Sequence, residues 1–346
     1  MEYIGIFDCG TTNSRFSIVD AGGTVVGKAS TKIGVKDTAV QGSNRALKSG
    51  LVDLFTDTLK ASGIAAGDIA LAISSGMITS ELGLLEIPHM PAPAGLAELI
   101  KGLTHLEGAD RLAIEPELYL VRGVKNTTNP PPGSPVDAVR PLDFMRGEET
   151  QMMGFLAIHG GGIPTTVVNL SSHTKYINLD ADGRIKGSVT TLSGQVYEAI
   201  VKETFIGKSV TETSSAQAGA SEGELIEAMD SAYDIVRTAG LLRALVVPRF
   251  MDTLMTTDWR VRRRFVEACL IADDLSAMNL FPEYGFDRGS RVVLVGLPER
   301  CAIFEYLLGK SGRAEGAQVM SITDPDAVNK LAVTGALAIA RGAGLV

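Results

Sequence analysis

The sequence predicts an α/β protein built as two related lobes, on three observations. The chain has 346 residues and is 45% apolar, which exceeds one compact core and suits two domains. Apolar runs of strand length alternate with helical periodicities along it. The opening hairpin is echoed further on: at an offset of 161 residues Asp8 falls on Asn169, Thr11 on Ser172, Ile18 on Leu179 and Gly22 on Gly183. Both copies read as apolar strand, hydroxyl-rich turn, apolar strand, glycine turn, strand. A repeat at this spacing implies duplicated domains, with the two polar turns facing each other across a cleft.

The elements follow in order. Residues 3–8 form a first strand that turns at Gly10 to Asn13 and returns from Arg15 to Asp20. The turn DAGG then leads into a third strand, TVVGKAS. Residues 43–61 carry Leu47, Leu51, Leu54, Phe55 and Leu59 on one stripe, the mark of an amphipathic helix. Residues 69–77 are a buried strand ending in small residues, 87–95 a proline-punctuated loop, and RLAIEPELYLVRG further strand material. The stretch 125–141 holds too much Pro, Asn and Gly for regular structure, and a loop of that length suits function or mobility. MRGEETQMMGFLAIHG reads as a helix ended by GGGIP, which gives an N-terminal lobe of residues 1–145 and a C-terminal lobe of 146–346. Beyond residue 195 the chain is mostly helical. One more buried strand (291–300) leads through Gly296 into the helix CAIFEYLLGK, and a small-residue helix, NKLAVTGALAIARG, closes it. Small residues permit close helix approach, so this helix and the one holding Gly154 and Ala157 are candidates for the crossing connections of a hinge.

Net charge is −8 and pI near 5.2, which argues against a nucleic-acid partner or a membrane surface. It still permits an anionic substrate in a local basic pocket. Three well-spaced cysteines, Cys9, Cys269 and Cys301, form neither a zinc nor a disulfide framework. With no leader-like N-terminus and no bilayer-length apolar run, the expected location is the cytoplasm. Nothing in the sequence fixes the oligomeric state; a homodimer is compatible with it.

The turn in GIFDCGTTNSR asks for a chemical reason. Successive turn N–H groups form a nest for an anion, and threonine hydroxyls add donors. Gly10 removes the Cβ that would block a phosphate. Asp8 cannot bind phosphate itself, but an acid there can hold Mg²⁺, so the bend suits a metal-bound nucleotide better than a bare anion. An ordinary hairpin turn with Asp-x-Gly would read the same way.

DCGTTNSR resembles the first phosphate motif of the sugar kinase, Hsp70 and actin superfamily. NLSSHTKY stands where its second phosphate motif belongs, and VVLVGLPER where its adenosine motif belongs. More narrowly, SGMITSELGLLEIPHMPAPAG, then MRGEETQMMG, then SSHTKYI resemble the 2-keto-3-deoxygalactonate kinase family over nearly the whole chain. The resemblance implies a two-lobed actin-like ATPase (ribonuclease H-like) fold with a nucleotide cleft, with ATP, Mg²⁺ and a small sugar acid as the partners. It implies Gly10, Thr11, Thr12, Asn13, Ser171, Ser172, His173 and Gly296 as nucleotide-binding residues, and Asp8 as the metal residue. The expected reaction is phosphorylation of a 2-keto-3-deoxy sugar acid, 2-dehydro-3-deoxy-D-galactonate to its 6-phosphate.

Several positions depart from the family pattern. Leu170-Ser171-Ser172-His173 replaces Pro-Gly-Thr-His, Gln195 replaces Glu, Leu84 replaces Trp and Thr79 replaces Gly. Leu297-Pro298 replaces a hydroxyl pair in the adenosine stretch.

Phosphoryl transfer to a hydroxyl needs a carboxylate to take the proton. In RGEE a helix start would expose one Glu and bury or solvate the other; Glu148 is the favoured base and Asp8 the competitor. An acid-rich helix N-terminus is the plainer alternative. A 2-keto acid also needs cations for its carboxylate, for which Arg15, Arg146 and Lys175 stand near the motifs, and Ser75, Gly76, Met77 and Ser80 are candidates for the sugar pocket. IGKS at 206–209 fails as a P-loop because Lys202 occupies the first glycine position. RVRRR (260–264) reads as a solvated face pairing acids such as Asp258 and Glu267. An exopolyphosphatase-like phosphohydrolase and a weakly catalytic nucleotide-binding homologue remain as rival readings.

Overall fold

A computed structural model describes residues 2–127, 139–212, 219–287 and 289–346. Most of the proline-rich stretch at 125–141 therefore lies outside the described residues. Contacts divide the chain into unit 1 (Met1–Gly162, Leu179–Ser188 and Pro325–Val346) and unit 2 (Ile163–Asn178 and Val189–Asp324). This division does not fall at 145/146. The GEE helix and the C-terminal helix both group with unit 1, because small residues on each let them pack on one another.

Unit 1 opens with the strands β1 (Tyr3–Cys9), β2 (Ser14–Val19) and β3 (Val25–Thr31). Helices α1 (Val35–Gln41) and α2 (Arg45–Ser62) cross over to β4 (Ile69–Gly76). After β5 (Met90–Pro91) come α3 (Leu96–Lys101), β6 (Thr104–His105), β7 (Leu118–Leu120), β8 (Val124–Lys125) and β9 (Phe144–Met145), followed by α4 (Glu148–His159). Of RLAIEPELYLVRG only Leu118–Leu120 enters a sheet. The main sheet has the order β3-β2-β1-β4-β7-β6, with β1 antiparallel to β2 and parallel to β4. The stripe on α2 covers it: Leu47, Leu51, Leu54, Phe55 and Leu59 share a core with Phe7, Phe16 and Ile18.

The second sheet repeats the plan with β10 (Thr165–Leu170), β11 (Thr174–Leu179) and β12 (Ile185–Thr191), although Leu179 and the first part of β12, to Ser188, group with unit 1. The short turn after β10 makes β11 antiparallel to it. Among the described residues the α-helices that follow are α5 (Ser193–Glu203), α6 (Gly207–Val210), α7 (Glu222–Ala239), α8 (Leu241–Leu254) and α9 (Trp259–Asp274). Then come β13 (Arg291–Gly296), α10 (Pro298–Lys310) and β14 (Gln318–Ile322). The order β12-β11-β10-β13-β14 matches β3-β2-β1-β4-β7 strand for strand, the order of a ribonuclease H-like sheet. Helix α10 starts at Pro298, two residues past β13, where proline's fixed φ and missing N–H are harmless.

In the basic run, Arg260 pairs with Asp258 at 3.2 Å and Arg263 with Glu267 at 3.0 Å, while buried Arg262 donates to the carbonyls of Ser209 and Thr257. The last helix, α11 (Pro325–Gly342), returns to unit 1 and packs on α4. A Cβ on Gly154 would stand 1.8 Å from the Leu331 carbonyl oxygen, and one on Gly335 1.8 Å from that of Thr150. The two helices therefore cross backbone to backbone.

Candidate active site

In unit 1 the ends of β1 and β4 lie side by side, Asp8 opposite Ser75 and Cys9 opposite Gly76. Gly76 has φ +92°, and a Cβ there would lie 2.4 Å from the Cys9 carbonyl oxygen, so no other residue fits. A Cβ on Gly147 would come 3.3 Å from the Gly76 Cα. Helix α4 therefore begins, at Glu148, beside the strand end that carries Asp8.

The turn after β1 closes through the Gly10 N–H on the Asn13 carbonyl at 2.9 Å, leaving Thr11, Thr12 and Asn13 exposed. Its carbonyls are held from behind. Val35 N–H donates to Gly10 O at 3.3 Å and Lys36 N–H to Thr11 O at 2.9 Å. In a trans peptide the N–H points opposite to the C=O, so the N–H groups of Thr11 and Thr12 are aimed away from α1. Gly34 makes this possible, since a Cβ there would lie 2.5 Å from Thr11 O and 2.6 Å from Gly10 O.

Asp8 is half-buried and accepts from Arg15 Nη1 at 2.9 Å. Glu149 is fully buried and accepts from Gly147 N–H at 2.9 and 2.8 Å. Burial, then the charge of Glu148, pushes its carboxyl up to about 8, so near neutral pH it keeps its proton. Glu148 is the half-buried member of the pair.

The other unit 1 candidates are already engaged to differing degrees. Arg146 donates to Thr79 Oγ1 at 2.6 Å and twice to the Ile87 carbonyl, and burial lowers its pKa. The hydroxyl that receives it belongs to Thr79, where the resemblance read from the sequence implied glycine. Ser80 is buried with its hydroxyl on the Met77 carbonyl at 2.7 Å, Ser75 is buried, and Met77 is partly exposed. Arg15 keeps 58% of its side chain exposed.

In unit 2 the turn Ser171–His173 joins β10 to β11. Ser171 and Ser172 are exposed, and His173 accepts or donates at Nδ1 with the Ser172 hydroxyl at 3.1 Å. Burial and then Lys175 lower the His173 pKa, favouring the neutral ring. Lys175 is buried, its Nζ 2.8 Å from Thr190 Oγ1. Gly296 ends β13 opposite Leu170, and a Cβ there would lie 2.7 Å from the Leu170 carbonyl oxygen. It occupies the position in its sheet that Gly76 holds in the other.

The turn borders a cavity of about 460 Å³ lined by Ser172, Gly194, Tyr197, Glu267, Leu297 and Arg300, among others. Arg300, from the start of α10, donates to Ser171 O at 2.6 Å, Thr174 Oγ1 at 2.9 Å and Ser193 Oγ at 2.7 Å. Gln195 N–H donates to Ser172 O at 2.8 Å. Burial lowers the Arg300 pKa and buried Asp274 counters it. The α5 and α9 residues of this cavity lie outside the phosphate and adenosine stretches that the sequence marks, whereas Leu297, Pro298 and Arg300 belong to VVLVGLPER. Gly194 does have a signal, a glycine opening the helix after the third strand, as Gly34 does in unit 1. Arg300 ends the stretch VVLVGLPER, but nothing in that stretch pairs it with the turn, since the carbonyl it binds lies 129 residues away.

Magnesium takes one or two carboxylates plus waters and phosphates rather than a full protein cage. Among the described residues no group of three or more His, Cys, Asp or Glu could hold a metal. Asp8 beside outward-aimed amides fits an ion carried in by a nucleotide, and it would be the residue to hold it. No described helix is long and apolar enough to cross a membrane.

The profile of the 2-keto-3-deoxy-galactonokinase family matches residues 8–327. A curated relative, probable 2-dehydro-3-deoxygalactonokinase DgoK1 of Rhizobium meliloti (strain 1021), is 27% identical over 217 residues. That match covers 63% of this chain and 62% of the relative's length. A crystal structure described as a 2-dehydro-3-deoxygalactonokinase protein from Sinorhizobium meliloti superimposes with a TM-score of 0.73 at 23% identity, covering 98% of this chain and 99% of that one. The structural likeness carries the fold and the profile match carries the kinship: the chain belongs to the 2-keto-3-deoxy-galactonokinase family.

Proposed function

We propose that this chain transfers the γ-phosphoryl group of ATP to a 2-keto-3-deoxy sugar acid, 2-dehydro-3-deoxy-D-galactonate giving its 6-phosphate, in the cytoplasm. The observation that carries the proposal is the meeting, at one strand end, of an anion-ready turn, Asp8 and the start of the helix that bears Glu148. Membership of the kinase family supports the same reading.

The roles follow from chemistry. Outward-aimed amides of Thr11 and Thr12, with the Thr and Asn13 side chains, bind phosphate oxygens. Asp8 would hold the nucleotide's Mg²⁺, which when bound would supply positive charge against the phosphates. Glu148 takes the proton of the attacking hydroxyl, because Glu149 retains its own proton and cannot accept another. Arg15 offers its exposed guanidinium to the substrate carboxylate, whereas Arg146 serves through the wall it builds with Thr79 and Ile87. Gly76 and Met77 border the sugar. In unit 2, Ser171, Ser172, His173 and Gly296 bind the nucleotide, and Lys175 acts from beneath that turn.

A coupled ADP-release assay over a panel of 2-keto-3-deoxy aldonic acids at millimolar concentration tests the proposal. One acid should give ADP and phosphorylated product in equal amounts, and Glu148→Gln should lower kcat by about 10²–10⁴-fold with KM for ATP little changed. Turnover with none of the acids, or phosphate release without an acceptor, would overturn it.

A further inference from the structure

The two hydroxyl turns are held by the same device in different hands. In unit 1, two backbone N–H groups at the start of α1 hold the carbonyls of Gly10 and Thr11. At the offset of the internal repeat those carbonyls correspond to Ser171 and Ser172. Gln195, at the start of α5, supplies an N–H to Ser172 O. The Ser171 carbonyl is taken instead by Arg300 Nη1 at 2.6 Å. Both helix starts need glycine for the same reason: a Cβ on Gly194 would lie 2.4 Å from Ser171 O and 2.7 Å from Ser172 O, as Gly34 crowds its own pair.

We infer that Arg300 is a positioning residue of the nucleotide site, replacing a backbone amide so that the N–H of Ser172 is turned outward to a nucleotide phosphate. The inference rests on the proposal that this cavity takes ATP. Fixing the Ser171 carbonyl toward α10 fixes the Ser172 N–H on the opposite side of the same trans peptide. The Gln195 bond does the same for the His173 N–H, so two successive donors point one way, as an anion nest requires. Ser171 carries a Cβ, and a non-glycine peptide plane is less free to rotate when an anion arrives. A guanidinium suits the task because its planar fork serves three oxygens at once. Its other Nη binds Thr174 Oγ1 and Ser193 Oγ, which are themselves 2.7 Å apart, and this fixes the fork in the plane of the turn.

The test compares ATP, ADP and adenosine by calorimetry on the full chain, for the wild type, Arg300→Gln and Arg300→Lys. Arg300→Gln should weaken ATP and ADP by at least about tenfold and adenosine by less than about twofold. Arg300→Lys should recover part of the loss, since an ammonium reaches the Ser171 carbonyl but not all three oxygens. Should the Gln variant fail to fold, the Lys variant carries the same comparison. Equal loss for ATP and adenosine would make Arg300 a mere wall of the cavity and overturn the inference, as would unchanged ATP affinity in a folded variant. A direct Arg300–phosphate contact is separated by replacing the Ser172 amide with an ester through the α-hydroxy analogue of serine. If Arg300 acts through that N–H, the ester and Arg300→Gln cost less together than the sum of each alone; additive costs would overturn the inference. A wild type that binds adenosine but no ATP would also overturn it. One that binds neither would remove the ATP reading of this cavity instead.

Discussion

Glu148 and Glu149 are neighbours with different fates, and the difference lies in burial. Glu149 folds back on the Gly147 N–H and is sealed from solvent, while Glu148 is partly exposed at the helix start. A carboxyl with an ordinary value of 4.5 is pushed up to about 8 there. The folded chain thus holds this proton more tightly than the unfolded chain does. The stability it contributes is complete below about pH 4.5 and is lost as pH rises through about 8. Glu149→Gln keeps the acceptor for Gly147 and cannot ionise. Relative to that variant, the wild type should lose several degrees of Tm, on the order of 5 °C, between pH 5 and pH 8. Thermal melts of the two proteins at matched pH check this, and parallel curves would refute it. From the sequence, the pair reads as one exposed and one buried acid, but which is which depends on the φ of Gly147, +107°, and no spacing rule supplies that.

At the scale of elements, glycine decides what packs against what. The crossing of α4 and α11 leaves no room for a methyl group at Gly154 or Gly335, since the atoms in the way are main-chain carbonyls that cannot swing aside. Gly335→Ala should cost about 3 kcal/mol or more, lowering Tm by about 10 °C, and should shift the helix that carries Glu148. Gly309, in α10, has open space where a methyl group would stand, with nothing within 4 Å. Gly309→Ala should therefore be neutral or stabilising by about 0.5–1 kcal/mol, from helix propensity alone. Differential scanning calorimetry on the two variants gives the comparison; similar effects would show that close approach is not what Gly335 provides. The small-residue pattern of both helices was legible in the sequence. The sequence named them together only as candidate crossing connections of a hinge; their direct packing on one another joins segments far apart along the chain, which no local pattern supplies.

Across the whole molecule, the repeat was the most legible feature, since strand, turn and strand are local patterns and their recurrence survives the loss of identity between the copies. Strand order follows from it, and five strands of the six-stranded sheet run in the same order as the five-stranded sheet. The cavity beside the second turn was far less legible. Its walls come from α5, α9 and α10, whose residues obey core and surface periodicity and carry no turn signature. The unit boundary was hidden for a similar reason: α11 follows unit 2 in sequence but belongs by packing to unit 1. It buries Leu331, Val333, Ala336, Leu337 and Ile339, and each large apolar side chain so buried is worth about 1.5–3 kcal/mol. Their sum rivals the whole stability of a typical domain, about 5–15 kcal/mol. A chain ending at Asp324 should therefore lose the fold of unit 1. Unit 2, whose core from Val168 to Val319 needs nothing from α11, should persist. Limited proteolysis with mass spectrometry distinguishes the outcomes. The expected product is a resistant fragment within residues 163–324, whereas a resistant fragment spanning the β1–β4 region would show that unit 1 holds together without its last helix.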